Sequence, residues 1–151
     1  MAVFNKFGDF SEQVLKKQYN FTPSTGDVFK LALTNTAPVS TQTNWNTTDH
    51  PAPAAANGYT AGGNTITIST VTESPTGTTT VSANQTVFTA TAGGIGPFRY
   101  AVFYNSSSTT PTNAAIGWWD YGSSITLAST ETFTVQFSGT NPGTVLTAVI
   151  A

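Results

Sequence analysis

Apolar and polar residues alternate along most of this chain, and a period of two belongs to β-strands. Residues 27–34 form the first such run, with Phe29, Leu31 and Leu33 on one side and Lys30 and Ala32 on the other. Residues 64–72 set Ile66 and Ile68 among threonines, and a strand over 78–82 follows the turn at 75–77. A short run at 87–91 leads into the glycine-rich segment 93–96. Residues 132–138 alternate most cleanly, Phe133, Val135 and Phe137 against Thr134 and Gln136. After a turn at 141–143, residues 144–151 are apolar on both faces at Val145, Leu146, Val149 and Ile150. Such a strand is an aggregation hazard at an exposed edge, so the pattern predicts a central place or cover from another chain.

The stretch 94–127 organises the rest, holding two of the three tryptophans and the one arginine, Arg99. Phe98, Tyr100, Val102 and Tyr104 alternate with Arg99, Ala101 and Phe103. Residues 105–113 are polar apart from Pro111 and predict a loop. Ile116, Trp118 and Asp120 then alternate with Gly117, Trp119 and Tyr121, so Trp118 and Trp119 point to opposite faces. Gly122 and two serines predict a turn before a further strand with Ile125 and Leu127. Large aromatics on both faces predict a strand covered on both sides, by a second sheet or a neighbouring subunit. The count is about eight strands, which predicts an all-β antiparallel sandwich of jelly-roll type over 25–151.

Residues 1–24 hold the one helical signal. Asp9 and Glu12 have capping-box spacing, Lys16 and Lys17 suit a helix C-terminus, and Phe7, Phe10 and Val14 make one apolar stripe. Two readings follow: a short helix plugging an open end of the sandwich, or an arm that lays Phe4, Phe7 and Phe10 on a partner. Residues 35–63 carry three prolines and little periodicity, and predict a long surface loop anchored by Trp45. Trp45 fits a packed lid or subunit contact, with a ligand platform as the alternative.

Composition narrows the function. Only 8% of the 151 residues are charged and the net charge is −2, without the basic clustering of a nucleic-acid binder. A surface with so little charge repulsion suits a protein packed in an assembly. There is no cysteine, no signal-peptide pattern and no apolar run near the ~20 residues of a membrane span. His50 is the one histidine, in a segment that reads as a surface loop, and the seven carboxylates are scattered. Neither a metal site, a cofactor site nor an enzyme's acid–base pair is indicated. The glycines at 93–96 lack the endings of phosphate-binding loops and read as turns. Arg99, set among aromatics, needs a carboxylate or a stacking partner; Asp120 is the first candidate, with Glu73 and Glu131 as alternatives.

The segments GPFRYAVFYN, IGWWDYGSSITL and ETFTVQF, preceded by DVFKLALTNTAPV and ANGYTAGGNTITI, resemble in that order a group of small structural proteins of tailed bacteriophages. The resemblance covers roughly residues 25–140. It implies a role like that of jelly-roll cement proteins, which decorate capsids. The implied location is the virion exterior, after synthesis in the host cytoplasm. The implied partners are the major capsid protein and further copies of the chain, with no catalytic residue or cofactor. Candidate interface residues are Phe4, Phe7, Phe10, Trp45, Arg99, Trp118 and Trp119. The alternative is a tail-fibre or receptor-binding module that grips a host glycan with Trp45, Trp118 or Trp119.

Overall fold

The computed structural model describes residues 2–149. In chain order the elements are β1 (Phe4–Lys6), α1 (Phe10–Leu15), β2 (Phe29–Thr34), β3 (Asn64–Ile66), β4 (Ile68–Glu73) and β5 (Thr78–Ala83). Then follow β6 (Thr86–Thr89), β7 (Ile95–Thr109), β8 (Thr112–Leu127), β9 (Thr132–Val135) and β10 (Gly143–Val149). Every strand pairing is antiparallel. The antiparallel all-β sandwich read from the alternation is therefore the fold, with ten strands where the pattern marks about eight.

One layer is a five-stranded sheet of order β1-β8-β7-β2-β3, built around the long β7–β8 hairpin. The other contains β10-β5-β4 and β6-β9. Only Asn84 and Gln85 separate β5 from β6, and β10 and β9 pair with them in turn (Ala83↔Gly143, then Thr86↔Val135). The two small sheets thus run end to end as one narrower layer. Phe29, Leu31, Leu33, Phe103 and Ile116 from the wide sheet meet Ile68, Val81, Phe88 and Val145 from the narrow layer in the main core. Aliphatic and aromatic burial of this kind contributes roughly 1.5–3 kcal/mol per side chain.

The wide sheet is covered on its second face as well. Ala32, Val102, Tyr104 and Ala115 pack there against Phe7 and Trp45, with Trp118 alongside. The cover comes from the chain's own N-terminal segment and its long loop. Trp119, one residue on, packs against the main core, so the two tryptophans do face opposite ways.

Several expectations are corrected. Residues 105–113 are not a loop: β7 continues to Thr109 and β8 begins at Thr112, with those two residues paired. Polar threonines and serines sustain the ladder because backbone pairing needs no apolar side chain. Asn105 also ties this end down, its amide donating to Gln18 O and to Asp27, each at 2.7 Å. Gly122 does not begin a new strand. Tyr100 pairs with Asp120 and Phe98 with Ile125, so residues 121–124 bulge outward and β8 resumes beside β7. The irregularity on β7 puts Phe98 on the core face with Ala101 and Phe103, against the simple alternation.

Further differences concern the run 64–72 and the two ends of the chain. The run 64–72 divides into β3 and β4, which belong to different sheets. β10 is an edge strand rather than a central one, paired with β5 and otherwise only bridged at Thr144 to Ser138, and Val149 is 63% exposed; Ile150 lies outside the described residues. At the N-terminus, residues 4–6 are the edge strand of the wide sheet, in register with Trp119, Trp118 and Gly117. Asp9 precedes the helix but makes no side-chain cap bond, because Gln13 takes its carboxylate at 2.9 Å and Glu12 pairs with Lys16. The stripe through Phe7, Phe10 and Val14 is not one surface: Phe7 is fully buried outside the helix, and Val14 is exposed. Phe10, Tyr19 and Phe21 fold onto the main core, Phe21 stacking on Phe29 at 4.4 Å. Residues 2–24 lie on the sandwich.

Candidate functional site

The two layers differ in width, and the difference leaves an opening. β8 and β1 extend the wide sheet beyond the edge formed by β9 and β10. Between them lies a cleft of about 540 Å³. Phe4, Trp119 and Tyr121 form one wall, and Phe133, Phe137 and Val145 the other. β-strand geometry places these rings: Trp119 and Tyr121 are two apart on β8, and β1 lies beside them because Gly117 has no side chain to displace Phe4.

The rings hold one another in angled contacts, Phe4 with Trp119 at 4.9 Å and Trp119 with Phe137 at 5.6 Å. Phe133 is met edge-on by Phe98 at 5.0 Å and by Tyr121 at 5.6 Å. Tilted and edge-to-face pairs are the favoured arrangements of aromatic quadrupoles, so the walls are pre-formed. Tyr121 remains more than half exposed and supplies an accessible ring at the mouth.

Arg99 is the charged member of the lining. Its Nε and Nη2 donate to the two carboxylate oxygens of Asp120 at 2.7 and 2.8 Å, a bidentate pair. The Gly122 backbone N–H donates to the same carboxylate at 2.7 Å. The Arg99 bonds, reinforced by Gly122, hold Asp120 below the usual carboxylate range, and Asp120 keeps Arg99 above its ordinary value. The guanidinium also stands 5.2 Å from the Tyr100 ring centre. The pair is therefore satisfied internally, and the cleft offers neutral aromatic surface with a polar rim at Gln136, Ser138 and Thr144.

A more open depression of about 780 Å³ lies on the other face, beside Trp45, Tyr104 and Lys30. Trp45 is buried and stacks on Tyr104 at 4.8 Å and 13°. Tyr104 donates to Gly62 O at 2.8 Å, and burial raises its hydroxyl pKa. Tyr59 is likewise pushed up to about 12 by burial while accepting from the Leu33 N–H. Trp45 anchors its loop, and its indole plane is occupied by Tyr104.

His50 is not a surface residue. It is fully buried, its Nε2 3.0 Å from Gln42 Oε1 and its ring edge-on to Phe7. The turn that returns the His50 N–H to Asn46 O aims the ring inward, a consequence of Asn46 and Asp49 chemistry that composition does not reveal. Among the described residues no group of three or more His, Cys, Asp or Glu side chains is placed to hold a metal ion. Among the same residues no helix is long and apolar enough to cross a membrane.

The sequence-derived candidates thus divide in two. Phe4, Arg99 and Trp119 meet in the cleft, whereas Phe7, Trp45 and Trp118 pack together on the opposite face. Phe10 belongs to neither, lying against Tyr19 at 5.1 Å. The cleft adds Tyr121, to which the alternation gives no inward place, and Phe133 and Phe137, which it turns inward without showing that the covering layer stops short of them. Comparisons with protein-family models, curated proteins and solved structures return no match.

Proposed function

We propose that this chain is a virion structural protein that decorates and cements a tailed-phage capsid, acting as an oligomer in contact with the major capsid protein. The observation that carries the reading is a pre-formed aromatic cleft beside an open sheet edge, on a chain with only 8% charged residues. Apolar contact and backbone pairing are what such a surface offers, and repetition around a shell multiplies modest contacts into firm holding. The sequence resemblance supplies the capsid as the setting, with the protein on its exterior. Co-sedimentation tests it: purified protein mixed with capsids that lack it should pellet with them and saturate in proportion to capsid subunits. Failure to bind at any protein concentration short of aggregation would refute the reading.

A second reading is favoured by the same cleft. Its volume falls within the roughly 300–1,000 Å³ of small-molecule sites, and Trp119 and Tyr121 present ring faces suited to a sugar. In that case the chain is a tail-fibre or receptor-binding module for a host glycan. Quenching of tryptophan fluorescence by host surface polysaccharide, lost in Trp119→Ala, would favour it over decoration.

A further inference from the structure

The cleft can be described as a missing strand. β10 pairs with β5 on one side; on its other side Thr144 bridges to Ser138, and beyond that bridge residues 145–149 have no partner strand among the described residues. Beyond that edge the wide sheet continues through β8 and β1, where Phe4 and Trp119 line the cleft instead of meeting a covering strand. A strand added to β10 would extend the narrow layer over those rings.

β10 is also the least guarded edge. It is seven residues long, with neither charge nor proline between Gly143 and Val149. By contrast β4 ends on Glu73, β1 contains Lys6, and β3, β6 and β9 have three or four residues each. Natural sheets blunt exposed edges with charges, prolines or brevity, and an edge lacking all three is a template for pairing. Its last residues, 147–149, are exposed.

Charge selects the occupant. The ionic couple at the cleft, Arg99 with Asp120, is neutralised internally, so an uncharged strand fits and a charged one would be desolvated without a partner. β10 itself reads GTVLTAV and meets that requirement. We infer that β10 pairs antiparallel with β10 of a second copy about a two-fold axis. The three strands of each copy then join into one continuous layer, and each β10 covers the other copy's cleft. A two-fold contact between identical edges is self-complementary, which closes the assembly at a dimer along this edge. The inference rests on the oligomeric part of the proposed function and adds its surface.

The chain contains no cysteine, which makes cross-linking clean. Thr147→Cys, Ala148→Cys and Val149→Cys, made singly, sample the exposed end of β10, and Val71→Cys on the β4 edge is the control. Under mild oxidation at least one β10 variant should give a disulfide-linked dimer, with none from Val71→Cys. Light scattering of the unmodified protein should report a dimer, and Thr147→Lys, checked for folding by circular dichroism, should report a monomer. An oligomer that cross-links through Val71 alone, or that survives Thr147→Lys with no β10 cross-link, overturns the inference and leaves the oligomeric reading standing. A monomer at every concentration overturns both. A monomer whose capsid co-sedimentation is nevertheless lost in Thr147→Lys overturns the second copy as occupant and assigns the edge to a capsid strand.

Discussion

The imidazole of His50 sits with Nε2 on Gln42 and with Nδ1 buried and unpartnered among the described residues. Burial lowers its pKa below 6.5, against a smaller opposing pull from Asp49. The folded protein therefore resists a proton that the unfolded chain accepts. Stability from this group is complete above about pH 6.5 and declines as the pH falls below that value, by at most about 1.4 kcal/mol per pH unit. Asp120 acts in a lower window, its contribution being lost as the pH falls below 3.8. Melting temperature measured from about pH 7.5 to 5 should fall in the natural protein and stay flatter in His50→Gln. Equal slopes would contradict the burial of His50. The tryptophans give a second residue-level expectation. Trp119→Ala removes packing against Phe4, Phe103 and Phe137 and should cost about 2–4 kcal/mol. Trp118→Ala removes a single ring contact with Phe7 and should cost less in denaturant melts. At this scale the Arg99–Asp120 pair was legible, because a charge among aromatics demands a partner. The burial of His50 was not, because it depends on where a loop folds back.

Among the elements, β1 depends on one position in β8. A methyl group at Gly117 would collide with the Phe4 ring and the Asn5 carbonyl. Gly117→Ala should therefore lift β1 from the sheet, raise hydrogen exchange at residues 4–6, and cost about 1–3 kcal/mol. Unchanged exchange there would show that β1 does not need the close approach. Deleting residues 2–17 should lower stability more, since it also removes Phe7 from beneath Trp118 and His50. The alternation located most strands, since the inward sets of β2 and β9 follow directly from a period of two. It misplaced the hairpin tip and the bulge at residues 121–124. Polar residues that extend a ladder resemble a loop, and a glycine bulge resembles a turn, until the partner strand is known.

For the whole molecule, unequal layer widths create the cleft, and β9 and β10 end the narrow layer short of β8 and β1. No run of residues encodes that mismatch, since it arises from how many strands each layer receives. The sequence could therefore name Phe4, Arg99 and Trp119 singly but could not bring them together. The proposed capsid role makes a demand at this scale: a cement protein must stand on a shell in many equivalent places. A cryo-EM reconstruction of the phage particle proposed to carry it is the most direct measurement. Decoration requires sandwich density on the outer capsid surface at symmetry-related positions, bridging neighbouring capsid subunits. Density confined to the tail or its fibres, with a bare capsid, would contradict it.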